Sequence, residues 1–329
     1  MDLEFLLVDW LGKPLWMWLA FIGIVITLLT LDLGVLHRNN REIGVRESLM
    51  MSGGYIALGL AFGGWVWWYL GAEPGMNYLT GFLVEKTLAM DNVFVIAMIF
   101  SFFAIPRAYQ HRVLFWGVFG ALVLRAVFIF AGVALLNAFD WMLFVFGAFL
   151  VVTAWRVARH DNEEIHPERN PVLKLMRRVV PVTSEYHGQR FWVKIDARRF
   201  ATPLLVVLVL IEATDVVFAV DSIPAILAVT RSEFIVFTSN AFAILGLRAL
   251  YFLLAGAAGK LRYLNVGLGI ILGYVGVKMI ISEWYHLPTL LSLGVIAVVL
   301  TITVVVSLRA DARGHGAAPD GTGNGEAHG

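Results

Sequence analysis

The chain has 329 residues, 59% hydrophobic and 15% charged, with a mean hydropathy of +0.78 and a formal net charge of +1. Too few polar residues remain to cover a soluble globule, so the composition predicts an all-α, polytopic membrane protein whose first partner is the lipid bilayer. The basic residues are spread over loops, which excludes a nucleic-acid surface, and the absence of cysteine excludes disulfides, thiolate metal sites and thiol redox chemistry.

The first residues, MDLEFLLVDWLGKPLW, carry acids where a secretory signal would carry lysine or arginine, so they are expected to be retained. Nine hydrophobic spans follow, near 15–36, 50–72, 78–104, 113–136, 141–156, 201–229, 233–256, 263–282 and 288–308. Alternate connections hold nineteen lysines and arginines on one side and two, Lys13 and Arg231, on the other. The positive-inside rule then places the N-terminus outside and the C-terminus in the cytoplasm, which an odd number of spans allows. Trp65, Trp67, Trp68, Trp141, Trp284 and Tyr285 fall near span ends and read as interfacial anchors.

The expected organisation is residues 1–77 as an outer segment with two accessory helices, 78–156 as a first three-helix repeat and 157–199 as a basic cytoplasmic loop. Residues 200–282 form a second repeat, 283–308 a last helix and 309–329 a disordered glycine-rich tail. Within the basic loop, the stretch from Pro171 reads as an interfacial helix anchored by arginine, followed by a short hairpin between Gln189 and Phe200.

Chemistry concentrates in spans three and six. Residues 203–224 read PLLVVLVLIEATDVVFAVDSIP, setting Glu212, Asp215 and Asp221 in an apolar run. Unpaired near a bilayer centre each charge costs about 3 kcal/mol, roughly 9 together, so something must compensate them. An earlier copy exists: Glu85 through Val93 can be laid over Asp215 through Ile223, with acid, five residues, acid and a small polar side chain (Asn92 or Ser222) in both. The likeness continues through Leu122–Phe128 over Leu245–Tyr251, which pairs Arg125 with Arg248, and through Trp141–Arg156 over Tyr263–Lys278. Three spans per repeat is an odd number, so the halves are inverted about an axis in the membrane plane, as in secondary transporters with midplane sites.

All eight histidines fall in loops or tails, so a ligand set inside the membrane must be oxygen, which favours Mn²⁺, Ca²⁺ or Mg²⁺. The candidate metal-binding residues are Glu85, Asp91, Asn92, Glu212, Asp215, Asp221 and Ser222; Lys86, Arg125, Asn240, Arg248 and Asp32 are candidates for charge balance or gating. With Lys278 included, six acids against four bases leave a formal −2, the complement of one divalent cation. A structural ion-pair network is the competing explanation. Met90 reads as packing in preference to a thioether ligand. Six residues turn a helix through about 600°, leaving Asp91 about 120° and about 9 Å from Glu85. Either the acids are successive stations along a path, or the helix is broken between them. Pro224 removes a backbone donor and frees a carbonyl near Asp221.

At Glu85–Val95, Ile211–Pro224 and Thr238–Phe252 the sequence resembles the TerC/Alx family of integral membrane proteins, a branch associated with the LysE transporter superfamily. The resemblance covers nearly all of the chain from span one through span nine. It implies export of Mn²⁺, with the family's motif acids falling on Glu85, Asp91, Glu212, Asp215 and Asp221. The glycine-rich tail after Arg309 lies outside the family pattern.

The favoured expectation is a non-enzymatic, alternating-access exporter of Mn²⁺, with Asp91 and Asp221 as central ligands and no tightly bound cofactor. Glu85, Glu212 and Asp215 would be auxiliary ligands or proton acceptors, because carboxylates taken out of water hold protons more firmly and can trade metal for protons. Ca²⁺ is the alternative cargo. A membrane sensor or scaffold that loads metal into a partner protein through the 157–199 loop is the alternative function.

Overall fold

The computed structural model describes residues 6–34, 45–159, 171–183, 185–195, 198–254, 263–281, 284 and 287–315. They are overwhelmingly helical: α1 (Leu15–Gly34), α2 (Val45–Leu70), α3 (Ala72–Phe102), α4 (Arg107–Ala138), α5 (Met142–Arg159), α6 (Pro171–Val179), α7 (Pro203–Leu227), α8 (Glu233–Leu245), α9 (Leu247–Leu254), α10 (Leu264–Ile281) and α11 (Thr289–His315). Two antiparallel hairpins, β1 (Asp9–Trp10) with β2 (Lys13–Pro14) and β3 (Trp192–Ile195) with β4 (Arg198–Ala201), complete the elements.

Each predicted span has its helix. Five helical segments are long and apolar enough to cross a bilayer by themselves: most of α2, then α4, α7, α8 with α9, and most of α11. Parts of α1, α5 and α10 are shorter apolar helices. The helix α3 is 31 residues long and carries Glu85, Lys86 and Asp91 within its apolar stretch. It begins at Ala72, six residues before the expected start of the first repeat, because a single residue, Gly71, at φ 102°, turns the chain out of α2. The last helix runs past Arg309 to His315, so the first part of the expected tail continues α11; residues 316–329 lie outside the described set.

The packing has a definite pattern. The seam of α3 on α8 is matched by α4 on α7, and α3 also meets α7, α4 meets α8, and α5 meets α10. Exchanging the α3–α5 unit with the α7–α10 unit leaves these pairings unchanged. The α5–α10 seam is the tightest, since a Cβ on Gly147 would lie 3.1 Å from the Gly276 carbonyl and one on Gly276 would lie 2.9 Å from the Gly147 carbonyl. Small residues let two backbones approach where no hydrophobic effect drives helices together in lipid.

A second cluster fixes the accessory helices. Trp18 and Phe21 of α1 and Phe62 of α2 pack on Phe234 and Phe242 of α8, with the Phe62–Phe242 ring centroids 4.7 Å apart and Trp18–Phe234 5.1 Å. The result is that α8 is almost wholly buried, while α11 presents Val298, Ile302 and Val306 outward, as a lipid-facing helix does. Trp68, Trp141 and Trp284 are exposed near helix ends, whereas Trp65 stacks on Tyr69 at 5.5 Å; Tyr285 lies outside the described residues.

The described part of the basic loop is docked. Leu173 and Met176 of α6 pack inward while Lys174, Leu175, Arg178 and Val179 face out. The Tyr186 hydroxyl donates to the Phe103 carbonyl at 2.6 Å, and the Arg112 guanidinium lies 5.3 Å from the centre of the Phe191 ring. These contacts hold the segment against the α3–α4 turn.

Candidate functional site

The four helices α3, α4, α7 and α8 meet at one side chain. Arg125, fully buried on α4, donates through Nε and Nη2 to both oxygens of Asp215 on α7, at 3.1 and 2.9 Å. This is a two-point fork matched to a planar carboxylate. Its Nη1 is paired with Glu85 of α3 and also reaches Ser222 Oγ at 3.2 Å and Asn240 Oδ1 of α8 at 3.4 Å. One guanidinium between two carboxylates leaves a formal −1 in a buried place, since Glu85 is 0% and Asp215 7% exposed.

The arrangement differs from the expected one. Glu85 and Asp215, the first acids of the two repeat segments, form the centre, whereas Asp221 is half-buried and accepts a hydrogen bond from Thr153 Oγ1 of α5 at 3.1 Å. Helix geometry gives the reason: α3 and α7 run unbroken through their acids, so the second acid of α7 is turned about 120° away from the first and lies about 9 Å along the axis. The alternative of a helix broken between the acids is therefore not the one found. The side chains of Asp91 and Asp32 lie outside the described set.

Glu212 takes a third position. It sits one turn before Asp215 and its carboxylate is pressed against Gly120 of α4, where an added Cβ would fall 2.0 Å from Oε1 and 2.7 Å from Oε2. Only a glycine leaves room for it there. Among the described residues, Glu212 Oε2, Glu85 Oε2, Asn92 Oδ1 and Asn240 Nδ2 are buried polar atoms without a hydrogen-bond partner. Three of these four are acceptors, which is what a path for cations would leave open.

Two cavities flank the cluster. One is small, bounded by α3, α4 and α7, and reaches Thr214 and Asp215. The other is lined by Glu85, Arg125, Asp221 and Ser222 and closed by Leu268 and Leu272 of α10. Asn92 and Phe218 line both, so these two residues are where the spaces adjoin. Among the described residues no group of three or more histidine, aspartate or glutamate side chains stands ready to hold a metal ion.

The remaining bases are placed as follows. Lys86 Nζ donates to the Ala243 carbonyl at 3.0 Å, at the C-terminal end of α8, where a cation complements the helix dipole. Arg248 is buried on α9, just beyond the break at Gly246, and Lys278 is buried on α10. Met90 packs against the main core, as expected. Gly120, Thr153 and Phe218 were not anticipated from the sequence. The Gly117–Gly120 spacing on a polar-poor helix is the one signal that pointed toward a close approach.

Among the described residues, five helical segments of membrane-spanning length and several shorter apolar helices, joined inside by a buried arginine and carboxylates, define a multi-pass α-helical integral membrane protein. Residues 70–315 match the integral membrane protein TerC family, and the chain belongs to that family. It is 50% identical over 297 residues to "Uncharacterized membrane protein STKORF319" of Myxococcus xanthus, covering 90% of this chain and 93% of that protein. It is 45% identical over 306 residues to "Putative membrane-bound redox modulator Alx" of Photorhabdus laumondii, and 43% identical over 305 residues to the Escherichia coli K12 protein of the same name, covering 90% of this chain and 95% of each. No solved structure matches the chain.

Proposed function

We propose that this protein is a secondary carrier that exports a divalent cation, Mn²⁺ in the first place, by alternating access across a bacterial inner membrane. The observation that carries the reading is the buried cluster at the junction of the two repeats. Carboxylates Glu85 and Asp215 come from repeat-related helices, carry a net negative charge with Arg125, and adjoin unsatisfied acceptors at the meeting point of two cavities. Ionisable groups held at such depth are costly and mark ion pathways.

On this reading the N-terminus is outside, so the Asp215 cavity belongs to the cytoplasmic half of α7 and the Asp221 cavity to the outer half. Cargo moves from Glu212 and Asp215, past Asn92 and Phe218, to Glu85, Ser222 and Asp221, with Asp91 of α3 as a further ligand. Neutral and carboxylate oxygens distributed along a path suit an ion that must leave again, in contrast to a closed cage. Carboxylates that release the cation are neutralised by protons, giving antiport. Ca²⁺ is the cargo that the same oxygen chemistry also accepts. The name of the Alx relatives speaks of redox modulation; this chain has no cysteine to carry thiol redox chemistry, so cation movement is the route by which it would act.

The test is flux of Mn²⁺ and Ca²⁺ in proteoliposomes of the purified chain under an imposed pH gradient, comparing wild type with Asp215→Asn and Asp221→Asn. Flux in the wild type and its loss in both variants supports the carrier. Metal binding without flux under either gradient would favour the second reading, a metal-loading scaffold. That alternative draws on the docking of the 171–195 segment against the end of α3, which carries the site.

A further inference from the structure

We infer that Arg125 is a tethered stand-in for the transported cation: its guanidinium competes with the cargo for Glu85 and Asp215, and offsets one of their two negative charges when the cargo has left, leaving the other to the exchanged protons. The inference rests on the carrier reading above and deepens it.

Three features point to this role. Both Asp215 oxygens are engaged by Arg125, and one Glu85 oxygen is as well, so a cation that bridges these carboxylates must displace the guanidinium. Around the guanidinium, Glu85 Oε2, Asn92 Oδ1 and Asn240 Nδ2 stay unsatisfied, although a clamp evolved only to pin helices together would be expected to satisfy its own neighbours. Finally, Arg125 lines a cavity together with Asp221, so a displaced guanidinium has a further carboxylate to turn toward on its far side.

The physical requirement is charge. Two bare carboxylates inside a bilayer are costly, so a carrier that has released a divalent ion cannot readily reorient with both exposed. A cation fixed to the protein lowers that barrier without leaving the membrane. It also sets the affinity, because the cargo binds only as well as it outcompetes the guanidinium.

A structural clamp and a competitor predict opposite signs. Replacing arginine by lysine keeps the charge and loses the planar fork. A competitor so weakened should let Mn²⁺ bind more tightly in Arg125→Lys, by about tenfold or more for one lost charged hydrogen bond, and more tightly again in Arg125→Gln. A clamp so weakened should loosen Mn²⁺ binding or abolish it. The experiment is Mn²⁺ titration of purified wild type and both variants, followed by net efflux and Mn²⁺/Mn²⁺ exchange in proteoliposomes.

Arg125→Gln should keep exchange, in which the carrier always returns loaded, and lose net efflux, with Arg125→Lys recovering part of it. Weaker or unchanged binding in a folded variant, or parallel loss of exchange and net flux, overturns the inference. So does the failure of both variants to fold, which would make Arg125 structural. A wild type that binds no Mn²⁺ would instead remove the carrier reading itself.

Discussion

Gly120→Ala separates function from stability at a place where the distances are explicit. The new methyl would sit 2.0 Å from Glu212 Oε1 and 2.5 Å from its Cδ, against 3.4 Å for an ordinary contact, so the carboxylate must withdraw by about 1.4 Å. The obstructing atoms are the far end of a flexible side chain, so the fold can yield: an off-rotamer Glu212 costs about 0.5–1.5 kcal/mol, and alanine in mid-helix returns up to about 1 kcal/mol over glycine. Stability should therefore change by less than about 1 kcal/mol. Transport should not survive equally well, because displacing a positioned group by about 1 Å costs on the order of a hundredfold. The assay pairs Mn²⁺ flux in proteoliposomes with thermal unfolding in detergent. Gly64→Ala is the control, since nothing lies within 4 Å of a Cβ there. A folded Gly120→Ala protein with wild-type flux would refute the assignment of Glu212 to the path.

Three further outcomes follow from the packing and the docked segment. Gly276→Ala brings a methyl within 2.9 Å of both the Gly147 carbonyl and Leu150 Cβ, so it should destabilise the protein by about 1–3 kcal/mol through overpacking; an unshifted unfolding temperature would contradict the α5–α10 seam. Thr153→Val deletes the hydroxyl that donates to Asp221 and should lower flux, with Thr153→Ser restoring it; a fully active valine variant would take Thr153 out of the site. Tyr186→Phe should raise amide exchange in 181–195 by freeing the Phe103 carbonyl. Burial pushes the Tyr186 phenol above its ordinary value, so the neutral donor's contribution is complete below about pH 10 and is lost as pH rises through the raised value. Wild-type protection factors, taken relative to base-catalysed intrinsic exchange, that already fell between pH 7 and 9 would contradict this.

The spans were legible because bilayer length is written directly into apolar runs, and even α3, which carries four charges, declared itself through its likeness to α7. The hairpin at 192–201 and the amphipathic α6 could be read from local pattern in the same way. Which acid faces the junction could not. Periodicity fixes the 120° between Asp215 and Asp221, but the absolute rotation of α7 is set by Gly117 and Gly120 of α4 packing against it, contacts more than eighty residues away in sequence. Thr153 was invisible for the same reason: nothing near it in the chain marks a hydroxyl that caps a carboxylate on another helix.

The break between α8 and α9 was the other unreadable feature, and it bears on why one arginine occupies the centre. The repeats match Arg125 to Arg248, yet α4 is continuous through Arg125 while the second repeat breaks two residues before Arg248. The break frees carbonyls at the end of α8, and Lys86, which has a valine as its repeat counterpart, supplies the cation that caps Ala243. Lys86 thus has no basic repeat counterpart, whereas Arg125 and Arg248 are matched in sequence but sit on a continuous and a broken helix respectively. Two symmetric arginines between Glu85 and Asp215 would neutralise the pair completely and leave no charge to attract a divalent ion. A single guanidinium leaves a formal −1 between Glu85 and Asp215, and it is on that residual charge that the proposal of a cation carrier rests.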